Sequence, residues 1–163
     1  MTTTSTRRTR TVGLNIQDLA ISSREFIPGG PLEDRHANDR ENEAPSFLID
    51  GVPDEAVELA LVCHDPDAPL PDGFTHWTLY GIPADVTELP DDADRLYRPG
   101  PNDFSGTGYG GPQPPEGHGV HHYYFWIYAL ARKVEGTPSR RELLATYADD
   151  ILEQNRVIGT YER

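Results

Sequence analysis

The sequence predicts a mainly β protein built from antiparallel strands, and three observations carry that reading. Glu58-Leu59-Ala60-Leu61-Val62-Cys63-His64 is a short apolar run that stops at Asp65-Pro66-Asp67-Ala68-Pro69. Two prolines so close together cannot continue a hydrogen-bonded ladder, so the run reads as a buried strand with a sharp end. The stretch His121-His122-Tyr123-Tyr124-Phe125-Trp126-Ile127-Tyr128 is bulky and aromatic, the composition that suits a pleated surface. Turn clusters separate these and other short apolar segments, which is the spacing of an antiparallel β-protein.

The elements follow in chain order. Residues 14–21 and 47–49 read as short strands, and 58–64 as a core strand. A turn-rich segment leads to His76-Trp77-Thr78-Leu79-Tyr80-Gly81-Ile82-Pro83, a strand with a histidine at its start. Of fifteen glycines and fifteen prolines, twelve fall between Pro99 and Gly119, so a long irregular loop is expected there. Such loops are functional or disordered, and the junction with the His121 strand favours function. Strand alternation puts His121, Tyr123, Phe125 and Ile127 on one face and His122, Tyr124, Trp126 and Tyr128 on the other. Pro138 suits a first helical position, and Ser139 with Glu142 makes a capping box. Leu143, Leu144, Tyr147, Ile151 and Leu152 then recur at helical spacing, predicting one amphipathic helix on the sheet. Val157-Ile158-Gly159-Thr160-Tyr161 is extended again, and no internal repeat is visible.

Length and composition bound the function. A chain of 163 residues is one domain with a core of its own. We divide it into a disordered N-terminal tail, 1–11, and a single domain, 12–163. The polar, basic start, with Arg7, Arg8 and Arg10, lacks an apolar stretch behind it, so a cytoplasmic location is expected rather than secretion. No run approaches the ~20 apolar residues of a membrane helix. Net charge is −13, and Lys133 is the sole lysine among fourteen basic residues. A surface of that sign repels nucleic acid and anionic membranes. One cysteine, Cys63, excludes an internal disulfide, and its place in a core strand predicts an inert buried thiol.

Three strand ends carry Asp65, His76 and His121, each within three residues of a proline or glycine. A histidine and a tyrosine two residues on, His121 and Tyr123, give two hydrogen-bonding tips above an apolar floor, as a small pocket needs. The Asp65–Pro69 turn, the His76-Trp77 strand start and the segment Gly111-Pro112-Gln113-Pro114-Pro115-Glu116-Gly117-His118-Gly119 before the His121 strand together resemble the phosphatidylethanolamine-binding proteins, in their bacterial and archaeal Raf kinase inhibitor-like branch. The resemblance extends to Phe26-Ile27-Pro28-Gly29-Gly30-Pro31, to Glu41-Asn42-Glu43-Ala44-Pro45-Ser46-Phe47, to residues 81–90, to Asn102-Asp103-Phe104 and to Gly159-Thr160-Tyr161-Glu162-Arg163. Two positions depart from the family pattern. Ile49 stands near a frequent tryptophan, and Gln113 stands where many microbial members carry a cysteine.

The resemblance implies a large antiparallel Greek-key sheet, a smaller sheet and a C-terminal helix. It implies a ligand pocket lined by Asp65, His76, His121 and Tyr123, with Pro69, Gly111 and Pro112 in its walls. It further implies a cis Ala68–Pro69 bond, a small anion or phosphoryl head group as ligand, and a regulatory role as a kinase- or protease-inhibitor-like module with a protein partner. A homodimer is left open, and no cofactor is implied. The chemistry agrees: a carboxylate at Asp65 favours the charged form of a neighbouring histidine, either His76 or His121, and glycine-rich backbone offers N–H groups. The alternative is a metal-dependent hydrolase using the Asp/His cluster. Against it, His121 and His122 point to opposite faces of a strand, and no Gly-x-Ser-x-Gly elbow is present. The expectation is therefore a binding protein and no enzyme.

Overall fold

The computed structural model describes residues 15–163, so the proposed tail 1–11 and the start of the 14–21 segment lie outside the described residues. Two antiparallel sheets face each other. The smaller runs β1 (Ala20–Ser22), β2 (Phe47–Asp50) and β5 (Glu88–Leu89), in the order β1-β2-β5. The larger has the order β6-β4-β3-β7-β8, from β3 (Glu58–Asp65), β4 (Phe74–Pro83), β6 (Arg98–Pro99), β7 (His121–Leu130) and β8 (Ile151–Tyr161). Here β3, β4 and β6 lie side by side, and β7 returns through the Pro/Gly-rich connection to flank β3, which is Greek-key order. A short helix, α1 (Ala93–Leu96), precedes β6.

The apolar run of β3 is explained by burial on both faces. Leu59, Leu61 and Cys63 face the smaller sheet, in a core with Phe47, Trp77 and Phe125. The Phe47 and Phe125 rings lie 4.9 Å apart there. Ala60 and Val62 face the other way, under Leu143 and Tyr147 of the helical segment. A strand covered on both faces carries no polar alternation. Burial, then the charge of Asp65, pushes the Cys63 thiol well up, which keeps it protonated and inert.

The helix α2 (Arg140–Thr146) starts as predicted: Ser139 Oγ accepts from Glu142 N at 3.1 Å, and Ser139 N donates to Glu142 Oε1 at 2.9 Å. It ends sooner than its spacing suggests. Ile151 and Leu152 belong to β8, where Ile151 pairs with Leu130 across the β7 ladder. A 3-10 turn at residues 148–150 redirects the chain, and Ile151 is buried in the same cluster as Tyr147. Long-range pairing thus overrides local periodicity.

The Ala68–Pro69 bond is trans, as no cis peptide occurs among the described residues. The expected cis bond is therefore corrected. Asp65 Oδ1 accepts from Asp67 N at 2.7 Å, an Asx turn that starts the reversal without it.

One irregularity positions the site. Cys63 pairs with Trp77, but His64 pairs with Thr75, so His76 is an extra residue in β4. Such a bulge breaks strict alternation. Without it, His76 would share a face with Thr78. With it, His76 turns to the face that holds Asp65 and His121.

Candidate functional site

A cavity of about 260 Å³ opens where β3, β4 and β7 end. Asp65, His76, Gln113, His121 and Tyr123 supply its polar groups. Its walls are apolar, with Pro69, Leu70, Phe74, Phe104, Pro114 and Pro115 prominent. Leu70 and Phe104 are exposed at the rim.

Asp65 and His121 are buried together, and His121 Nδ1 donates to Asp65 Oδ2 at 2.6 Å. This answers which histidine the carboxylate serves. The other nitrogen, His121 Nε2, lies 2.7 Å from Nδ1 of His118. His118 is exposed, between Gly117 (φ 74°) and Gly119 (φ 94°). A chain Asp65–His121–His118 therefore runs from the pocket interior to solvent.

His76 has a different role from the one expected. Its Nδ1 donates to Gly110 O at 2.8 Å. Burial pushes its pKa below the usual histidine range, although the Gly110 carbonyl and the charge of Asp65 act the other way. The ring is kept neutral, and its Nε2 is left as an acceptor. Phe74, Phe104 and Tyr123 surround it edge-on, at ring distances of 4.9, 5.3 and 5.1 Å. Burial, and then the charge of Asp65, pushes the Tyr123 hydroxyl up, so it remains a phenol able to donate.

Gly111 and Pro112 do not line the cavity; they brace it. Gly111 N donates to Asn42 Oδ1 at 2.8 Å, and Pro112 O accepts from Asn38 N at 2.9 Å. The walls at that side are Gln113, Pro114 and Pro115 instead. Residues not anticipated are Phe74, Phe104 and Leu70, whose place depends on how distant loops fold over β4. The sequence placed His118 only within the Gly111–Gly119 segment. The His118/His121/His122 set does not converge, because His122 points away and bonds Asp67 Oδ2 at 2.7 Å.

Behind the site, on the outer face of β3, sits His64. Burial and the positive charge of Arg140 lower its pKa from 6.5 to about 4, while Asp103 and Asp65 favour the charged form, and His76 again disfavours it. The unfolded chain therefore binds a proton near pH 6.5 that the folded chain takes up only near 4. Stability is present above that window and lost as pH falls through it. Because the ring borders an open cavity, the loss is discounted to about 2 kcal/mol. Thermal melts at pH 7 and pH ~4.5 should show it, and His64→Gln should flatten the dependence.

Two facing antiparallel sheets, with a preformed pocket at the ends of the central strands, define a β-domain of ligand-pocket type. Its sequence matches the profile of the phosphatidylethanolamine-binding proteins over residues 22–162, and the chain belongs to that family. The UPF0098 protein of Methanothermobacter thermautotrophicus is 39% identical over 158 residues, covering 92% of this chain and 99% of that one. That of Aquifex aeolicus is 35% identical over 153 residues, 89% of each chain. The crystal structure of YbcL from E. coli, described as a new member of the mammalian PEBP family, superposes with TM-score 0.82 at 31% identity. It covers 90% of this chain and 99% of YbcL. The protein from Plasmodium vivax, at 16% identity and TM-score 0.59, shares the fold.

Proposed function

We propose that this chain is a binding protein, without catalytic turnover, whose pocket takes a phosphoryl group carried on a small or apolar body. The carrying observation is the buried Asp65–His121 pair, 2.6 Å long, at the base of an apolar-walled cavity. With His121 protonated, Nε2–H can leave His118 and donate to a phosphoryl oxygen. The Tyr123 hydroxyl donates to another. His76, being neutral, accepts, so a protonated P–OH suits it and a fully ionised dianion does not. The apolar rim at Leu70 and Phe104 covers the body of the ligand. Occupancy buries that rim, which is the route by which the site would regulate a protein partner.

The test is calorimetric titration with inorganic phosphate and with a phosphoethanolamine ester. A charge-assisted hydrogen bond is worth about 1.5–3 kcal/mol, so His121→Ala should weaken binding by more than tenfold. Asp65→Asn should also weaken it, because His121 loses its counter-ion. No effect of His121→Ala overturns the assignment. Hydrolysis of the ester by the wild type and not by Asp65→Asn would instead make the site catalytic.

A further inference from the structure

A second cavity, of about 490 Å³, lies on the outer face of the five-stranded sheet. Its walls include His64, Thr75, Asn102, Asp103, Arg140 and Leu144. His64 and Thr75 are the chain neighbours of Asp65 and His76 but point the opposite way, so the two cavities stand back to back across the strand ends. Nothing in the phosphoryl reading uses this second one.

Its polar groups are unequally satisfied. Arg141 is paired with Asp72 at the rim. Asp103 Oδ2 accepts from Thr75 N at 2.7 Å. His64 Nδ1 lies 3.0 Å from Thr75 Oγ1. Ser139 and Glu142 already cap the first turn of α2, so the helix end is satisfied. Arg140 differs. Its Nε is buried without a hydrogen-bond partner, and no carboxylate among the described residues forms an ion pair with it. Arg140 as a whole is half-buried, but an Nε–H that has lost water without gaining an acceptor is costly, and such an orphan in a cavity wall points to a group that binds there.

The chemistry of that group can be narrowed. The planar guanidinium fork matches a planar oxyanion in two parallel hydrogen bonds. His64 is neutral and adds no positive charge. Asp103, in the same wall, adds a negative one. One cation opposed by one nearby carboxylate accepts a monoanion and repels a dianion. The cavity is larger than a bare carboxylate needs, and Leu144 and Pro101 give it an apolar side. We infer that this cavity binds a small organic carboxylate, with its carboxylate on the Arg140 guanidinium and its body against Leu144 and Pro101.

Benzoate is a suitable probe, read by nitrogen–proton NMR of labelled protein, because the buried Arg140 Nε–H reports directly. Benzoate should shift that resonance saturably, together with the Thr75 and Asn102 amides. Arg140→Gln should weaken the response of those amides more than tenfold, and Arg140→Lys, which keeps charge without the fork, should weaken it as well. Inorganic phosphate at pH ~8, where it is mostly the dianion, should leave the set unmoved. An Arg140 Nε–H that stays still up to the solubility limit of benzoate overturns the inference. So do shifts confined to His121 and Tyr123, or a phosphate response equal to that of benzoate. If Arg140→Gln fails to fold, the wild-type resonance still decides. The result is separate from phosphoryl binding, which is read at His121.

Discussion

Gly111→Ala is expected to lower stability by about 3 kcal/mol or more, although Gly111 has an ordinary backbone angle and lies outside the cavity. An added Cβ would stand 1.9 Å from His36 O, 2.9 Å from Asn38 N and 3.0 Å from Ala37 C. These are backbone atoms, and they are held. Tyr109 Oη donates to His36 O at 2.7 Å, and Asn38 N donates to Pro112 O at 2.9 Å. Relief requires pulling the 110–112 segment off the 36–42 segment, which breaks the brace. The site moves with it, because Gly110 O holds His76 Nδ1 and Pro114 forms part of the wall. Urea denaturation checks the size of the effect. Gly117→Ala is the control: it meets nothing within 4 Å but has φ +74°, so its cost is conformational alone. That cost is about 1 kcal/mol. Equal midpoints for the two variants would show that the close approach is not a constraint.

Gly111 also shows what a sequence holds and what it withholds. Strands β3 and β7 are legible because burial leaves a direct trace: a continuous apolar run where both faces are covered, and bulky alternation where one is. The α2 start is legible because a capping box is local chemistry between Ser139 and Glu142. The α2 end is not, since Ile151 continues the helical spacing and only its pairing with Leu130 decides against it. The bulge that turns His76 inward is invisible in the same way, because it exists only in the register between β3 and β4. Asp65, His76, His121, Tyr123 and Pro69 come to the site through family resemblance, and the structure brings them to one cavity. Gly111 and Pro112 came with them as wall residues, yet motif position cannot separate a residue that touches a ligand from one that holds the loop. Nor could spacing reveal that His76 is neutral, as that follows from its burial among Phe74, Phe104 and Tyr123.

The buried Asp65–His121 pair should show strong energetic coupling. Each side chain is about 2% exposed as a residue, so neither has water to fall back on. Removing one partner from such a pair costs about 3–5 kcal/mol, because the other stays buried without its counterpart. Asp65→Ala should lie at the upper end, since Asp65 Oδ1 also accepts from Asp67 N and holds the turn. His121→Ala should cost less, as it leaves that turn bond intact. Asp65→Asn keeps an acceptor for both donors and should cost least of the three. The decisive variant is the double, Asp65→Ala with His121→Ala. Once one partner is gone, the second has little left to lose at this contact, so the double should fall short of the sum by about 2 kcal/mol. Because the pair is shielded, the shortfall should survive ~1 M salt. Urea denaturation of the four proteins at neutral pH measures it. Strict additivity would mean that the 2.6 Å contact contributes nothing beyond its parts, and that the pocket is held open by the aromatic walls and the Gly111 brace alone.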